Sequence, residues 1–274
     1  MKKQLLFATL MCLMLSVGSV KAETLDAGAI MEKMLSVVDG RSGVSHKINI
    51  IIKDKDVVVG QMMAGAAAKK IQDGNRLLIV LLEPKEVKGV SYLLHKFNAS
   101  EIEQWSYFPY IGRVRQISGA SVYDSFLGTD FNFSDLGYSH RNGVHKLLGE
   151  ETLDGALTYK IETISQAKPV FYSRIVSWVA KDSFLPLRQD YYDAAGRLWK
   201  RQLYENITNI NNFAVPLLIR MLDLQRNTST EFNMSEINTD STLVNDEMFT
   251  PEQLKYSLVC PVWEKVCYPV ETDK

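Results

Sequence analysis

Between Leu25 and Leu35 the apolar side chains fall at Ala27, Ile30, Met31, Met34 and Leu35. That is a single stripe at helical spacing, with Asp26 placed to cap the helix start. From Ser45 onward the period drops to two. HKINIIIK, QMMAGAAAKKI, NRLLIVLLE, GVSYLLHKF and IEQWSYFPY read as strands, as do LTYKIETIS, YSRIVSWVAK, LPLRQDYYD, RLWKRQLYENI, AVPLLIRMLDL and STEFNMSEIN. Between them lie Asp73-Gly74-Asn75, Lys88-Gly89, Arg141-Asn142-Gly143, Asp154-Gly155 and Asp193-Ala194-Ala195-Gly196. Asn-Gly and Asp-Gly suit tight hairpins because they tolerate positive φ. Ten or so strands on short turns predict one large antiparallel sheet, curled or closed. Neither a low-complexity linker nor a repeat divides the chain, so one domain is expected.

Alternation assigns faces within these strands. Tyr172, Val176 and Trp178 fall on one face; so do Leu185, Leu187 and Tyr191, with Arg188 and Asp190 opposite; Trp105 and Tyr107 share another. The sheet is therefore expected to set an aromatic and aliphatic face against a charged one. Such a face is either an ordinary core or the lining of a ligand cavity inside a curled sheet.

The first 22 of the 274 residues stand apart. Lys2 and Lys3 precede an apolar run from Leu5 to about Val17, and Val-Lys-Ala precedes Glu23, the layout of a cleaved secretory signal peptide. Residues 23–274 then form the single mature domain, with 28 basic against 32 acidic residues. That balance argues against a nucleic-acid partner, which a basic excess would mark. Cleavage also removes Cys12 and leaves Cys260 and Cys267, an even pair that reads as a disulfide in an oxidising compartment.

Catalytic chemistry finds little support. Of His46, His95, His140 and His145, only the pair in HRNGVH could face one another, and a third ligand is not near in sequence. G-x-S-x-G and phosphate-binding glycine loops do not occur. In SVYDSFLGTDFNFSDLGY, Asp124, Asp130 and Asp135 miss the alternate-position spacing of a calcium loop. Those aspartates are expected to cap turns or bind backbone amides. Phe131 and Phe133, on one face if the stretch is extended, would plug a cavity or anchor the loop. Neither enzyme activity nor a cofactor or metal is expected.

The block from Gly89 to Gly137 resembles a known family. Lys88-Gly89, then Trp105, Tyr107 and Pro109, then Arg113 to Arg115, then SFLGTDFNFSDL from Ser125 to Leu136, occur in the order seen in outer-membrane lipoprotein-sorting proteins, akin to the LolA/LolB-like periplasmic carriers. YSRIVSWVAKDSFLPLRQDYYDAAGRLWK and the ending from Ile237 to Thr250 are similar to that family too.

The resemblance implies a mainly β fold: a curved, unclosed antiparallel β half-barrel with an α-helical lid carrying Ile30, Met31, Met34 and Leu35. It implies a periplasmic carrier that holds acyl chains of a lipid or lipoprotein in an apolar cavity during sorting toward the outer membrane. Trp105, Tyr107, Phe131, Phe133, Tyr172, Trp178, Leu187 and Tyr191 are the expected cavity residues. The alternative is a non-catalytic adaptor or sensor beside an inner-membrane ABC or RND/MMPL-type exporter.

Overall fold

The computed structural model describes residues 25–39, 43–72, 74–97, 101–137, 143–166, 170–211 and 213–256. The segment read as a signal peptide, Cys260, Cys267 and His140 lie outside the described residues. The helical stripe forms α1, Ala27–Asp39, and Asp26 caps it by accepting a 2.7 Å hydrogen bond from the Ala29 amide. Thirteen strands follow: β1 Val44–Asp54, β2 Val57–Ile71, β3 Gly74–Glu83, β4 Ser91–Phe97, β5 Ile102–Phe108, β6 Arg113–Ile117, β7 Gly143–Leu153, β8 Ala156–Ser165, β9 Arg174–Ala180, β10 Pro186–Tyr192, β11 Leu198–Ile210, β12 Phe213–Asp223 and β13 Thr228–Asn238.

All thirteen belong to one antiparallel sheet in the order β6-β5-β4-β3-β2-β1-β13-β12-β11-β10-β9-β8-β7. The first strand pairs with the last at the middle, Ile50 opposite Phe232, and the sheet stays open at β6 and β7. The result is a curved half-barrel rather than a closed one. Hairpins make every other connection short, so one long link remains, from the β6 edge to the β7 edge. Its described part is residues 118–137, the stretch rich in aspartate and phenylalanine. It contains the short helix α2, Phe133–Gly137.

This link crosses the concave face. Phe131 stacks on Phe232 with centroids 4.3 Å apart, and Phe126 meets Tyr92 edge-on at 5.5 Å. Asp130 accepts hydrogen bonds from the hydroxyls of Thr228 and Thr230 on β13, and its own amide donates to Thr230 Oγ1 at 2.9 Å. Asp135 accepts from the Asn132 amide at 2.9 Å, the backbone role expected of it. The aspartates hold the crossing to the sheet, because a buried link must satisfy its polar groups.

The expected division into one apolar and one charged face holds only over part of the sheet. On the convex side of β2 to β5, Ala67, Leu78, Val80, Leu82 and Leu93 are buried beneath Val244, Phe249 and Leu254. A chain of short 3-10 turns from Ser241 to Tyr256 carries those three residues. It is tied down where His95 Nε2 meets the Phe249 carbonyl at 2.7 Å and Ser91 Oγ donates to the Leu254 carbonyl at 3.2 Å. Strands covered on both faces lose clean alternation, which is why LLIVLL in β3 reads as a continuous apolar run. Over β8 to β11 the convex side is charged, as expected.

Candidate functional site: a cavity in the concave face

The concave face holds a cavity of about 200 Å³. Inward positions of successive strands form its apolar wall: Ile48 from β1, Ala66 from β2, Leu77 and Ile79 from β3, Leu94 from β4, and Phe232 from β13. These alternate along their strands with residues of the convex core, so a period of two builds both surfaces at once. Phe131 and Leu136 of the crossing link close one side.

The facing wall mixes apolar side chains, Leu185, Pro216 and Ile219, with polar ones. Gln202 and Tyr204 of β11 line the cavity, and Asp135 sits beside them. Behind that lining, the Tyr191 hydroxyl donates to Gln202 Oε1 at 2.7 Å and the Tyr204 hydroxyl donates to Gln189 Oε1 at 3.0 Å. Gln189 Nε2 in turn donates to Ser177 Oγ at 3.0 Å. Each group in this ladder is buried and answered, which rigidifies the wall instead of leaving it hungry for partners. Burial pushes the Tyr204 hydroxyl well above its ordinary pKa, so the wall stays neutral. Burial likewise raises the Asp135 carboxyl, against the opposing pull of Lys200. The Tyr172 hydroxyl donates to Asp135 at 2.9 Å, and Lys200 Nζ donates to the Asp130 carbonyl at 2.6 Å.

One end of the cavity is charged. Lys96 of β4, 6 % exposed, pairs with Asp39 at the last position of α1, Nζ to Oδ1 2.9 Å, and both residues line the cavity. Burial lowers the Lys96 pKa well below its ordinary value. His46, Asn75 and Arg76 line the same end. The Asn75 side-chain oxygen is buried without a hydrogen-bond partner. Arg76 lies over the Phe97 ring, 4.9 Å from its centroid.

The α1 helix packs on the concave face away from this end. Ile30, Met31 and Met34 are buried against Ile161 of β8 and Val179 of β9, with Leu35 partly buried beside them. The helix thus rests on one flank of the half-barrel and delivers Val38 and Asp39 to the cavity.

The residues expected from sequence to line a cavity are divided by the structure. Phe131 lines it. Tyr172 and Tyr191 lie in the concave core behind its wall, their rings 4.9 Å apart. Phe133 starts α2 instead of continuing an extended segment, so it parts from Phe131 and packs on Tyr92 at 5.6 Å. Trp105 and Tyr107 face the convex side, under the C-terminal turns. Leu187 sits at a register shift between Pro186 and Arg188 and does not line the cavity.

Trp178 is also on the convex face. Its ring lies between the Lys160 ammonium at 4.8 Å and the Arg188 guanidinium at 4.4 Å, and its Nε1 donates to Glu151. Strand parity from Tyr172 fails because Tyr172 precedes β9, with a bend at Ser173 between them. Long cationic stems, not a second layer, bury this tryptophan.

Val38, Asp39, His46, Asn75, Lys96 and Gln202 were not expected at a site. A signal for one of them was present: in SYLLHKF, Lys96 shares parity with Tyr92 and Leu94, an inward position for a charged residue. Among the described residues, no group of histidine, cysteine and carboxylate side chains could hold a metal, and no helix is long and apolar enough to cross a membrane.

Comparison with known proteins adds the context. A family model described as an "Uncharacterized protein"-like group matches residues 73–256. An outer membrane lipoprotein-sorting protein domain from Vibrio parahaemolyticus superposes with a TM-score of 0.77 at 24% identity, over 84% of this chain and 98% of that one. A DUF1329 family protein from Desulfovibrio piger gives 0.74 at 26% identity, over 84% and 100%. A LolA superfamily protein from Nitrosomonas europaea gives 0.65 at 20% identity, over 82% and 98%. No curated protein matches the chain.

Proposed function

Because the chain belongs to the LolA-like family, we propose that it is a non-catalytic carrier holding acyl chains of a lipid or lipoprotein in the concave cavity, for sorting toward the outer membrane. The observation that carries this reading is an apolar-walled cavity inside the half-barrel, bordered by the end of a helix that packs on the same face. The role places the protein in the periplasm, in keeping with the N-terminal segment read as a signal peptide.

Magnitudes favour a carrier over a permanent binder. Burying an acyl chain is worth about 0.8 kcal/mol per CH₂, so sixteen carbons supply on the order of 12 kcal/mol before ordering costs. A long chain needs more room than the cavity holds, and α1 is the element that can yield. Lifting Ile30, Met31 and Met34 off Ile161 and Val179 re-exposes three side chains at roughly 1.5–3 kcal/mol each. That cost offsets about half of the gain and leaves an affinity compatible with release.

Native mass spectrometry of protein gently purified from periplasm is expected to show added lipid mass, and a fluorescent fatty acid is expected to bind. Repeated recovery of the bare mass, together with no fatty-acid binding, would overturn the reading.

A further inference from the structure

This inference rests on the carrier reading and names its cargo. Two features of the cavity bear on it: its size and the charge at one end.

At about 200 Å³ the cavity is smaller than the ~300–1,000 Å³ of drug-sized ligand sites. Three long acyl chains together would need a site well beyond that range. The cavity is therefore scaled to one chain.

The charged end argues for the head. Lys96 is a buried ammonium whose partner in the cavity, Asp39, belongs to α1 and not to the sheet. Around them His46 and Asn75 line the cavity, while the Arg76 guanidinium lies over the Phe97 ring, so the pair Lys96 and Asp39 supplies the charge that faces the cavity at this end. Asn75 carries an amide oxygen without a hydrogen-bond partner. An amide so placed can turn its N–H pair toward an anion. An incoming anion can take the place of Asp39 on Lys96 without leaving the ammonium buried and bare, the costly alternative for a buried charge. The exchange removes the Lys96 tie of the last turn of α1, whose Val38 and Asp39 line the cavity.

We infer that the cargo is a single-chain amphiphile with an anionic head, whose carboxylate or phosphate replaces Asp39 on Lys96. Loading and release of the helix end are then one event.

The test is displacement of the neutral dye Nile red from the mature chain by dodecanoate, dodecyl phosphate, dodecanol and a triacylated lipopeptide. Dodecanoate or dodecyl phosphate is expected to bind at least tenfold more tightly than dodecanol, and the order of those two tells which anion is preferred. Lys96→Met should abolish the difference while dodecanol binding persists; Lys96→Arg should keep it. Asp39→Asn should tighten the anions alone, since it removes their competitor. Equal binding of the anions and dodecanol overturns the head assignment and leaves the carrier reading standing. Binding of the triacylated lipopeptide without the single chains overturns the cargo class. Binding of none removes the carrier reading itself. The ligand series on the unaltered chain decides these outcomes even if Lys96→Met fails to fold by circular dichroism.

Discussion

Lys96 and Asp39, 57 residues apart in the chain, meet at 2.9 Å and tie the end of the N-terminal helix to the fourth strand. Both side chains are more than nine-tenths buried, 7% and 8% exposed. Removing one partner strands a charge, whereas replacing both with apolar groups of similar volume does not. Asp39→Ala is expected to cost about 3–5 kcal/mol. Asp39→Leu with Lys96→Met should recover most of it. Chemical denaturation of the two variants beside the unaltered chain measures the difference, and a double variant no more stable than Asp39→Ala refutes the argument.

The docked helix is a competitor for the space that cargo needs. Met34→Ala removes a side chain fully buried against the sheet. The cost to helix docking is about 2–5 kcal/mol, within the range for large-to-small core changes. Fatty-acid affinity should therefore rise while thermal stability falls. An affinity that falls with stability instead makes the helix part of the binding surface.

Phe131 and Trp178 are both buried aromatics, on opposite faces of the sheet. Phe131→Ala should cost about 3–5 kcal/mol and also alter fatty-acid binding, because its ring forms cavity wall. Trp178→Ala should lower stability and leave binding affinity unchanged at temperatures where the variant is folded. Titration calorimetry beside a thermal melt separates the two, and a matched loss of binding in both variants contradicts the assignment of faces.

Asp190 answers two arginines at once: Arg188 Nε and Arg201 Nε donate to its Oδ1 at 2.9 and 2.8 Å. Burial pushes its pKa upward, but the two guanidinium groups outweigh burial and hold it below the ordinary carboxylate value. A carboxyl whose folded pKa is depressed contributes stability that is full above the unfolded value, about 3.9, and lost as pH falls through the folded value. Asp190→Asn should flatten that acid limb of the melting-temperature profile. At neutral pH it should cost roughly 1.5–3 kcal/mol, the range for hydrogen bonds to charged groups. A profile whose acid limb is unchanged in the variant assigns the acid sensitivity elsewhere.

Gly74 opens β3 with φ of 151°. A Cβ there would lie 1.8 Å from the Lys96 carbonyl oxygen, and backbone cannot step aside as a flexible side chain can. Gly74→Ala is expected to shift Lys96 as well as to destabilise the β3–β4 pair, so anion binding should weaken alongside the melting temperature. A variant with wild-type melting behaviour shows that the strands separate more easily than this contact implies.

How far the sequence carried the structure depends on how each residue is buried. The strands read from alternation are present, and the helix stripe packs the residues it named. The two strands not anticipated, RVRQI and GVHKLLGEETL, are the edges of the sheet. An edge strand has one neighbour and little buried face, so it leaves a faint hydrophobic pattern. Alternation puts Trp178 on the face of Tyr172, but the bend at Ser173 breaks that parity, and Lys160 and Arg188 cover the ring from outside. Trp105 and Tyr107 face outward too, hidden by C-terminal turns from far along the chain. The cavity itself was hardest to foresee, since its charged end joins a helix terminus to β4, and no local period reports such a meeting.

The polar ladder of Gln189, Tyr191, Gln202 and Tyr204 has a consequence for timing. A hydrocarbon chain in this cavity touches aliphatic side chains along one flank and, along the other, Leu185 and Ile219 interleaved with amides and hydroxyls that already have partners. Contact with those amides and hydroxyls adds little hydrophobic gain, because they are polar and stay bonded to one another. Cargo is thus held less firmly on that side. Since affinity differences between related complexes fall mainly on dissociation, the asymmetry shortens residence time more than it slows capture. Apolar replacements in the ladder would hold cargo longer and turn a courier into a store.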